Sequence, residues 1–166
     1  MINLFINRKS VKVQKNTTIV EAAKKININI PTLCHMKMSD GESVNCKGTC
    51  RICVVEIEGD KKLQTACSVE VKEGMKIYTS TLKVREARKT ILELVLWNHP
   101  NDCLNCKRNL SCELQKLARD FGINGVYFQG SGVKIEKTTP IIRDMEKCIL
   151  CRRCVTACND VQNNNR

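Results

Sequence analysis

Apolar and polar positions alternate between Asn3 and Val13 around Arg8-Lys9-Ser10, a period of two that predicts a β-hairpin. Thr18-Ile-Val-Glu21 then has capping-box spacing and opens a short helix predicted to run to Lys25. The stretch Ile28 to Leu33 delivers the chain to Cys34, and Ser39 to Asn45 reads as a polar loop. Val54–Glu58 predicts a strand, Gly59-Asp60 a turn, and Lys62–Val71 a partner strand carrying Cys67. Glu73-Gly74 turns the chain into a last strand at Met75–Tyr78. Hairpin, helix and returning strands together predict a β-grasp module over residues 1–80.

The period then changes to that of a helix. Val84, Ala87, Ile91, Leu94 and Val95 fall on one face of a helix predicted from Thr81 to Asn98, and Pro100 ends it. Ser111 is placed to cap a second helix, Cys112 to Phe121, with Gly122 as its stop. Residues 122–139 read as an irregular linker; Gly130-Ser-Gly132 lacks the setting of a nucleotide fingerprint and reads as turn glycines.

Twelve cysteines in 166 residues, of which only 4% are aromatic, imply small cores held together by staples or metals. A secreted disulfide scaffold is the alternative. The N-terminus has no signal-peptide pattern and no apolar run approaches the ~18 residues of a membrane span, so a cytoplasmic, thiol-preserving setting is expected. The formal net charge of +11 suits nucleic acid or an acidic protein partner. Thiolate-bound iron–sulfur centres would lower that charge.

The cysteines fall into three groups. Cys34, Cys50, Cys53 and Cys67 form C-x15-C-x2-C-x13-C, the topology of a plant-type 2Fe–2S centre with a longer first gap. Cys46 is the spare and could replace Cys50 or Cys53, although the C-x2-C pair leads directly into a strand. His35 reads as a surface residue. Next, His99, Cys103, Cys106 and Cys112 form H-x3-C-x2-C-x5-C within fourteen residues. That spacing suits either a closed zinc site of three cysteines and one histidine or a 4Fe–4S cluster with one imidazole ligand. Finally Cys148, Cys151, Cys154 and Cys158 form C-x2-C-x2-C-x3-C, the bacterial ferredoxin run, with Asn159 where proline is usual. This run favours iron at the His–Cys centre as well.

The order of motifs resembles the N-terminal electron-transfer region of multi-cluster FeFe hydrogenases, including NAD(P)-linked forms, and the large iron–sulfur subunit of NADH dehydrogenase (complex I). Some NAD-dependent formate dehydrogenases look similar. The resemblance rests on Pro31-Thr-Leu-Cys34, the stretch Cys50 to Gly59, Thr90 to Leu94, Asn98-His-Pro100, Cys112-Glu-Leu-Gln115 and Cys148 to Cys154. It implies a 2Fe–2S cluster on Cys34, Cys50, Cys53 and Cys67, and a 4Fe–4S cluster on His99, Cys103, Cys106 and Cys112. Cys148, Cys151 and Cys154 would begin a two-cluster ferredoxin domain, with Cys158 serving its second cluster.

The expected fold class is α+β. It comprises the β-grasp 2Fe–2S ferredoxin-like domain (1–80), a small helical 4Fe–4S domain with one histidine and three cysteine ligands (81–121), the linker, and an incomplete ferredoxin-type half-domain (140–166). No catalytic residue is visible in the chain, and it ends eight residues after Cys158. A further 4Fe–4S cluster is therefore expected only with ligands from additional sequence or a partner. The expected partners are a flavin- and NAD(P)-binding subunit and a catalytic subunit or domain, with no nucleic acid and no membrane span. The rival class is a zinc-stabilised, basic nucleic-acid-binding protein, which the scarcity of aromatic residues disfavours.

Overall fold

In a computed structural model, residues 1–37, 43–45, 47–100, 102–125, 136–138 and 141–161 are described. The chain is of mixed α and β structure and divides into two compact units. One holds residues 1–88 with 152–166, the other residues 89–151.

The first unit is built on a five-stranded sheet in the order β2 (Lys9–Val13), β1 (Ile2–Ile6), β7 (Lys76–Tyr78), β5 (Val54–Ile57) and β6 (Gln64–Thr65). The first two strands, β1 (Ile2–Ile6) and β2 (Lys9–Val13), form the expected antiparallel hairpin. Its turn falls at Asn7-Arg8, one residue earlier than the sequence pattern suggests. Both residues take positive φ, 49° and 68°, the combination that matches the right-handed twist of two strands. Asn7 is held there by Thr79, whose hydroxyl accepts from its amide at 2.7 Å and whose backbone N–H donates to Asn7 Oδ1 at 2.9 Å.

The helix α1 (Ile19–Lys25) starts at a complete capping box. Glu21 Oε2 accepts from the Thr18 backbone N–H at 2.8 Å, and the Thr18 hydroxyl accepts from Glu21 N–H at 3.4 Å. Ile19, Val20, Ala22 and Ala23 are buried against a core that includes Leu4, Ile6, Val55 and Ile77.

Between the helix α1 and the last strand of the sheet, two expectations are corrected. The predicted loop 39–45 ends in a short strand: β3 (His35–Lys37) pairs antiparallel with β4 (Ser43–Asn45). The strand expected at Lys62–Val71 is only β6 (Gln64–Thr65), paired with β5 (Val54–Ile57). Thr65 and Ser68 hydroxyls meet, and Thr65 O accepts from the amides of Ser68 and Val69 at 3.1 and 3.2 Å. This turn breaks the strand and puts Cys67 wholly inside the core. The chain returns through β7 (Lys76–Tyr78), parallel to β1 and antiparallel to β5.

The helix α2 (Leu82–Trp97) begins where Thr81 Oγ1 accepts from Val84 N–H at 3.3 Å. Its buried row is Val84, Arg88, Leu92 and Leu96, spaced i, i+4. The buried face is rotated from the one the apolar pattern predicts: Leu94 is exposed, and an arginine occupies the buried row. In the second unit, α3 (Glu113–Asp120) is capped by Cys112, not by Ser111. Gly122 at φ 65° closes it, with Ile123 N–H reaching Ala118 O at 2.9 Å. The segment expected to be a plain linker contains β8 (Glu136–Thr138), which pairs with β9 (Ile141–Arg143). Gly130 and Gly132 lie outside the described residues. A last short helix, α4 (Arg153–Thr156), runs on into a π-helical turn at Ala157–Val161.

Thr18→Ala removes the cap of α1 and leaves the donor groups of its first turn without that partner. A loss of about 1 kcal/mol of stability is expected, read as a lower urea midpoint at unchanged slope.

Candidate iron–sulfur sites

The first site is assembled from three separate stretches. Cys34 ends the segment following α1, Cys50 and Cys53 bracket the approach to β5, and Cys67 sits in the turn after β6. Cys34, Cys53 and Cys67 are fully buried and Cys50 is partly so. The sulfurs meet in a row. Cys50 Sγ lies 3.4 Å from Cys34 Sγ, Cys34 also contacts Cys67, and Cys67 contacts Cys53. Among the described residues no three His, Cys, Asp or Glu side chains converge on the position of one ion. The four sulfurs thus form one run of contacts, Cys50–Cys34–Cys67–Cys53, a donor set whose chemistry fits thiolate-bound iron.

The loop between these cysteines presents backbone donors to the sulfurs. Gly48 and Arg51 take positive φ, 72° and 59°. Gly48 N–H donates to Cys67 Sγ at 3.2 Å, while backbone groups of Ile52 and Leu33 hydrogen-bond the Cys50 sulfur. Such amides stabilise thiolate and cluster charge. A side chain at Gly48 would need this left-handed backbone and would approach Thr65 Oγ1.

Without metal the thiols divide into donors and acceptors. The hydrogen bond from Cys67 holds Cys53 below the ordinary thiol pKa. The hydrogen bond to Cys34, with burial, pushes Cys50 strongly up. For Cys34, the bond from Cys50 favours the thiolate, but contact with Cys67 and burial outweigh it and leave the thiol raised. Four mutually coupled sulfurs of this kind suit a centre that takes all four protons away at once. Cys46 lies outside the described residues. His35 is half-buried rather than on the surface, and its carbonyl accepts from Arg153 Nη2 at 2.9 Å.

Sequence reading missed two contributors. Gly48 is one; the small residue between Cys46 and Cys50 was its signal. Arg88 is the other, with Nη2 donating to Val54 O at 2.7 Å. Burial depresses its pKa to about 10, against the pull of the nearby Cys53 charge.

The second site lies where α2 ends. His99 N–H bonds back to Leu96 O at 3.1 Å, and its Nδ1 lies 3.0 Å from Pro100 O. Burial lowers the imidazole pKa, which favours the neutral ring a metal ligand requires. A cleft of about 360 Å³ is lined by His99, Cys103 and Cys112 together with Leu96, Leu114 and Ala118. Cys106 is one turn from Cys103, its N–H bonded to Cys103 O at 3.2 Å, and is not part of that lining. Gln115 braces the loop: its Oε1 accepts from Leu110 N–H and its Nε2 donates to Asn109, both at 2.9 Å. Cys112 Sγ accepts from Gln115 N–H at 3.5 Å, so this sulfur faces the amides at the start of α3. Three of the four expected ligands thus share one mainly apolar cleft.

In the last run, Cys148 and Cys151 belong to the second unit and Cys154 and Cys158 to the first. Cys148, Cys154 and Cys158 are exposed. Left-handed backbone at Leu150 and Arg152 gives the run a tightly turning path before α4.

Buried cysteines in mutual contact, backed by amides, are the donor chemistry of an iron–sulfur protein, and the comparisons with known proteins agree. Residues 1–81 match the 2Fe-2S iron-sulfur cluster binding domain family, and residues 88–126 match the NADH-ubiquinone oxidoreductase-G iron-sulfur binding region. The chain is 44% identical over 165 residues to the NADP-reducing hydrogenase subunit HndD of Solidesulfovibrio fructosivorans, covering 98% of this chain and 28% of that one. It is 36% identical to the NADH-ubiquinone oxidoreductase 75 kDa subunit of Reclinomonas americana, covering 97% and 23%. An NAD+-reducing [NiFe]-hydrogenase crystal structure superposes with a TM-score of 0.85 at 27% identity, over 98% of this chain and 68% of that one. The resemblance to hydrogenase and NADH dehydrogenase iron–sulfur subunits therefore holds. The chain spans about a quarter of the length of these curated relatives. Among the described residues no helix is long and apolar enough to cross a membrane.

Two measurements test the ligand sets. The EPR signal of a reduced 2Fe–2S centre is expected to survive Cys46→Ser and to vanish or change on Cys50→Ser or Cys53→Ser; the reverse pattern assigns Cys46 as the ligand. At the second site, His99→Cys replaces a neutral ligand by an anionic one, so its cluster should persist with a lower reduction potential. An unchanged potential in a redox titration removes His99 from the ligand set.

Proposed function

We propose that this chain relays electrons, one at a time, within an NAD(P)H-linked oxidoreductase of hydrogenase or NADH dehydrogenase type. The observation that carries the reading is the succession, in one chain, of a 2Fe–2S domain and an iron–sulfur region bearing one histidine and three cysteines. Bound clusters would supply one-electron redox chemistry. The protein's own part is to bury Cys34, Cys53 and Cys67 away from water, to aim the Gly48 amide at Cys67, and to seat His99 and Cys112 in a cleft walled by leucines.

In finer layout we assign residues 1–80 to a β-grasp 2Fe–2S domain and 81–121 to a 4Fe–4S domain with mixed histidine and cysteine ligands. Residues 122–139 are the connection, and 140–166 a ferredoxin-type segment. Cys34, Cys50, Cys53 and Cys67 hold the first cluster; His99, Cys103, Cys106 and Cys112 hold the second. The parallel pairing of β1 with β7 and the packing of α1 on the sheet support the first assignment. Partners would be a flavin- and NAD(P)-binding subunit upstream of the relay and a catalytic subunit or domain downstream of it, in a reducing cytoplasm. No group in the chain is assigned to substrate chemistry.

The last cysteine run is assigned by counting ligands. In two-cluster ferredoxins three cysteines of a run serve one cluster and the fourth crosses to the other. Cys148, Cys151 and Cys154 then offer three ligands, and Cys158 belongs to a different centre.

Anaerobic purification followed by iron, sulfide and zinc analysis tests the whole reading. Iron with matching sulfide is expected, and stoichiometric zinc without sulfide would refute it. The iron content of the chain alone should equal that of a version ending at Thr139. An additional stable 4Fe–4S cluster that is insensitive to Cys158→Ala overturns the ligand count.

A further inference from the structure

Arg88 is a charged residue in a row of α2 that otherwise holds Val84, Leu92 and Leu96. It is only 5% exposed. One nitrogen, Nη2, donates to Val54 O at 2.7 Å. Another, Nε, is buried with no hydrogen-bond partner among the described residues. None of the ion pairs among the described residues involves Arg88. A buried cation without a carboxylate is strongly unfavourable, and an aliphatic side chain would fill such a row at lower cost. Among the described residues, the chain beside that hydrogen bond points to a source of counter-charge. Val54, whose carbonyl Arg88 holds, directly follows Cys53, which is fully buried in the same unit.

We propose that Arg88 is the fixed counter-charge of the 2Fe–2S centre and sets its reduction potential. This rests on the iron–sulfur reading above, with Cys53 as a ligand. Reduction transfers one electron from a low-potential one-electron donor to the cluster, so the site gains one negative charge. A cation held in place at low dielectric stabilises the reduced form more than the oxidised form and raises the potential. Guanidinium suits the task because it stays protonated at neutral pH even when desolvated. The competing account is mechanical: Arg88 only ties α2 to β5 through the Val54 carbonyl. Any donor of similar reach would then serve equally, and the potential would not depend on charge.

The full chain, reconstituted anaerobically with iron and sulfide, separates these accounts in a dithionite titration with redox mediators, followed by EPR of the reduced 2Fe–2S centre. Arg88→Gln keeps a donor but loses the charge; its potential should fall. Arg88→Lys keeps the charge; its potential should stay near that of the parent. Arg88→Met supplies a second neutral side chain. An unchanged potential in either neutral variant that still carries the centre overturns the proposal. Should neither neutral variant retain a cluster, retention by Arg88→Lys supports the charge role, and loss in Arg88→Lys as well overturns it. A parent chain with no 2Fe–2S spectrum sinks the iron–sulfur reading and the inference with it. A parent with the spectrum and potentials indifferent to charge sinks the inference alone.

Discussion

Burying Cys34, Cys53 and Cys67 where water cannot reach them is the constraint on which the first unit depends. Cys34, Cys53 and Cys67 are as buried as Leu4 or Ile77, in a core otherwise built from aliphatic side chains. Charge there has to be met by the protein itself. The fold meets it with left-handed backbone at Gly48 and Arg51, an amide aimed at Cys67, and a guanidinium bonded to the residue that follows Cys53. The turn after Thr65 buries Ala66 and Cys67 together, whereas a continuous strand would send these two neighbours to opposite faces of the sheet. A turn there lets Cys67 enter the core beside Cys53 and Cys34.

The second unit answers the same demand with less core. Its site is a short loop between two helix ends, with Pro100 stopping one helix and Cys112 capping the next. The capping sulfur and the hydrogen-bonding Gln115 make the ligand loop and the helix start a single structure. Relying on a sulfur for capping ties the integrity of α3 to whatever Cys112 binds. This is the economy expected of a small domain with few aromatic residues, where a metal centre substitutes for buried area.

Both sites divide labour in the same way. Cysteine spacing sets which sulfurs can reach a centre, while backbone amides and a few polar side chains set its charge environment. For electron transfer the second part matters as much as the first, because hydrogen bonds, burial and nearby charge tune the potential of a cluster whose ligands are otherwise alike.

The sequence by itself determined the elements whose signals are local. The hairpin, the capping box at Thr18, the turn at Gly59, the end of α2 before Pro100 and the grouping of cysteines all depend on neighbours within a few residues. The Gly122 stop of α3 was legible for the same reason. Tertiary structure decided the rest. Apolar pattern turned α2 to the wrong face because an arginine is not counted as core, and only packing against β5 shows Arg88 buried. The cap of α3 moved from Ser111 to Cys112 because a thiol accepts the Gln115 amide there. The strand through Cys67 was cut short because the Thr65 carbonyl takes up the amides of Ser68 and Val69 in a turn. Which of the clustered sulfurs touch is likewise a property of contacts up to 33 residues apart along the chain, from Cys34 to Cys67. Spacing named the candidates; long-range packing chose their neighbours and the charge that faces them.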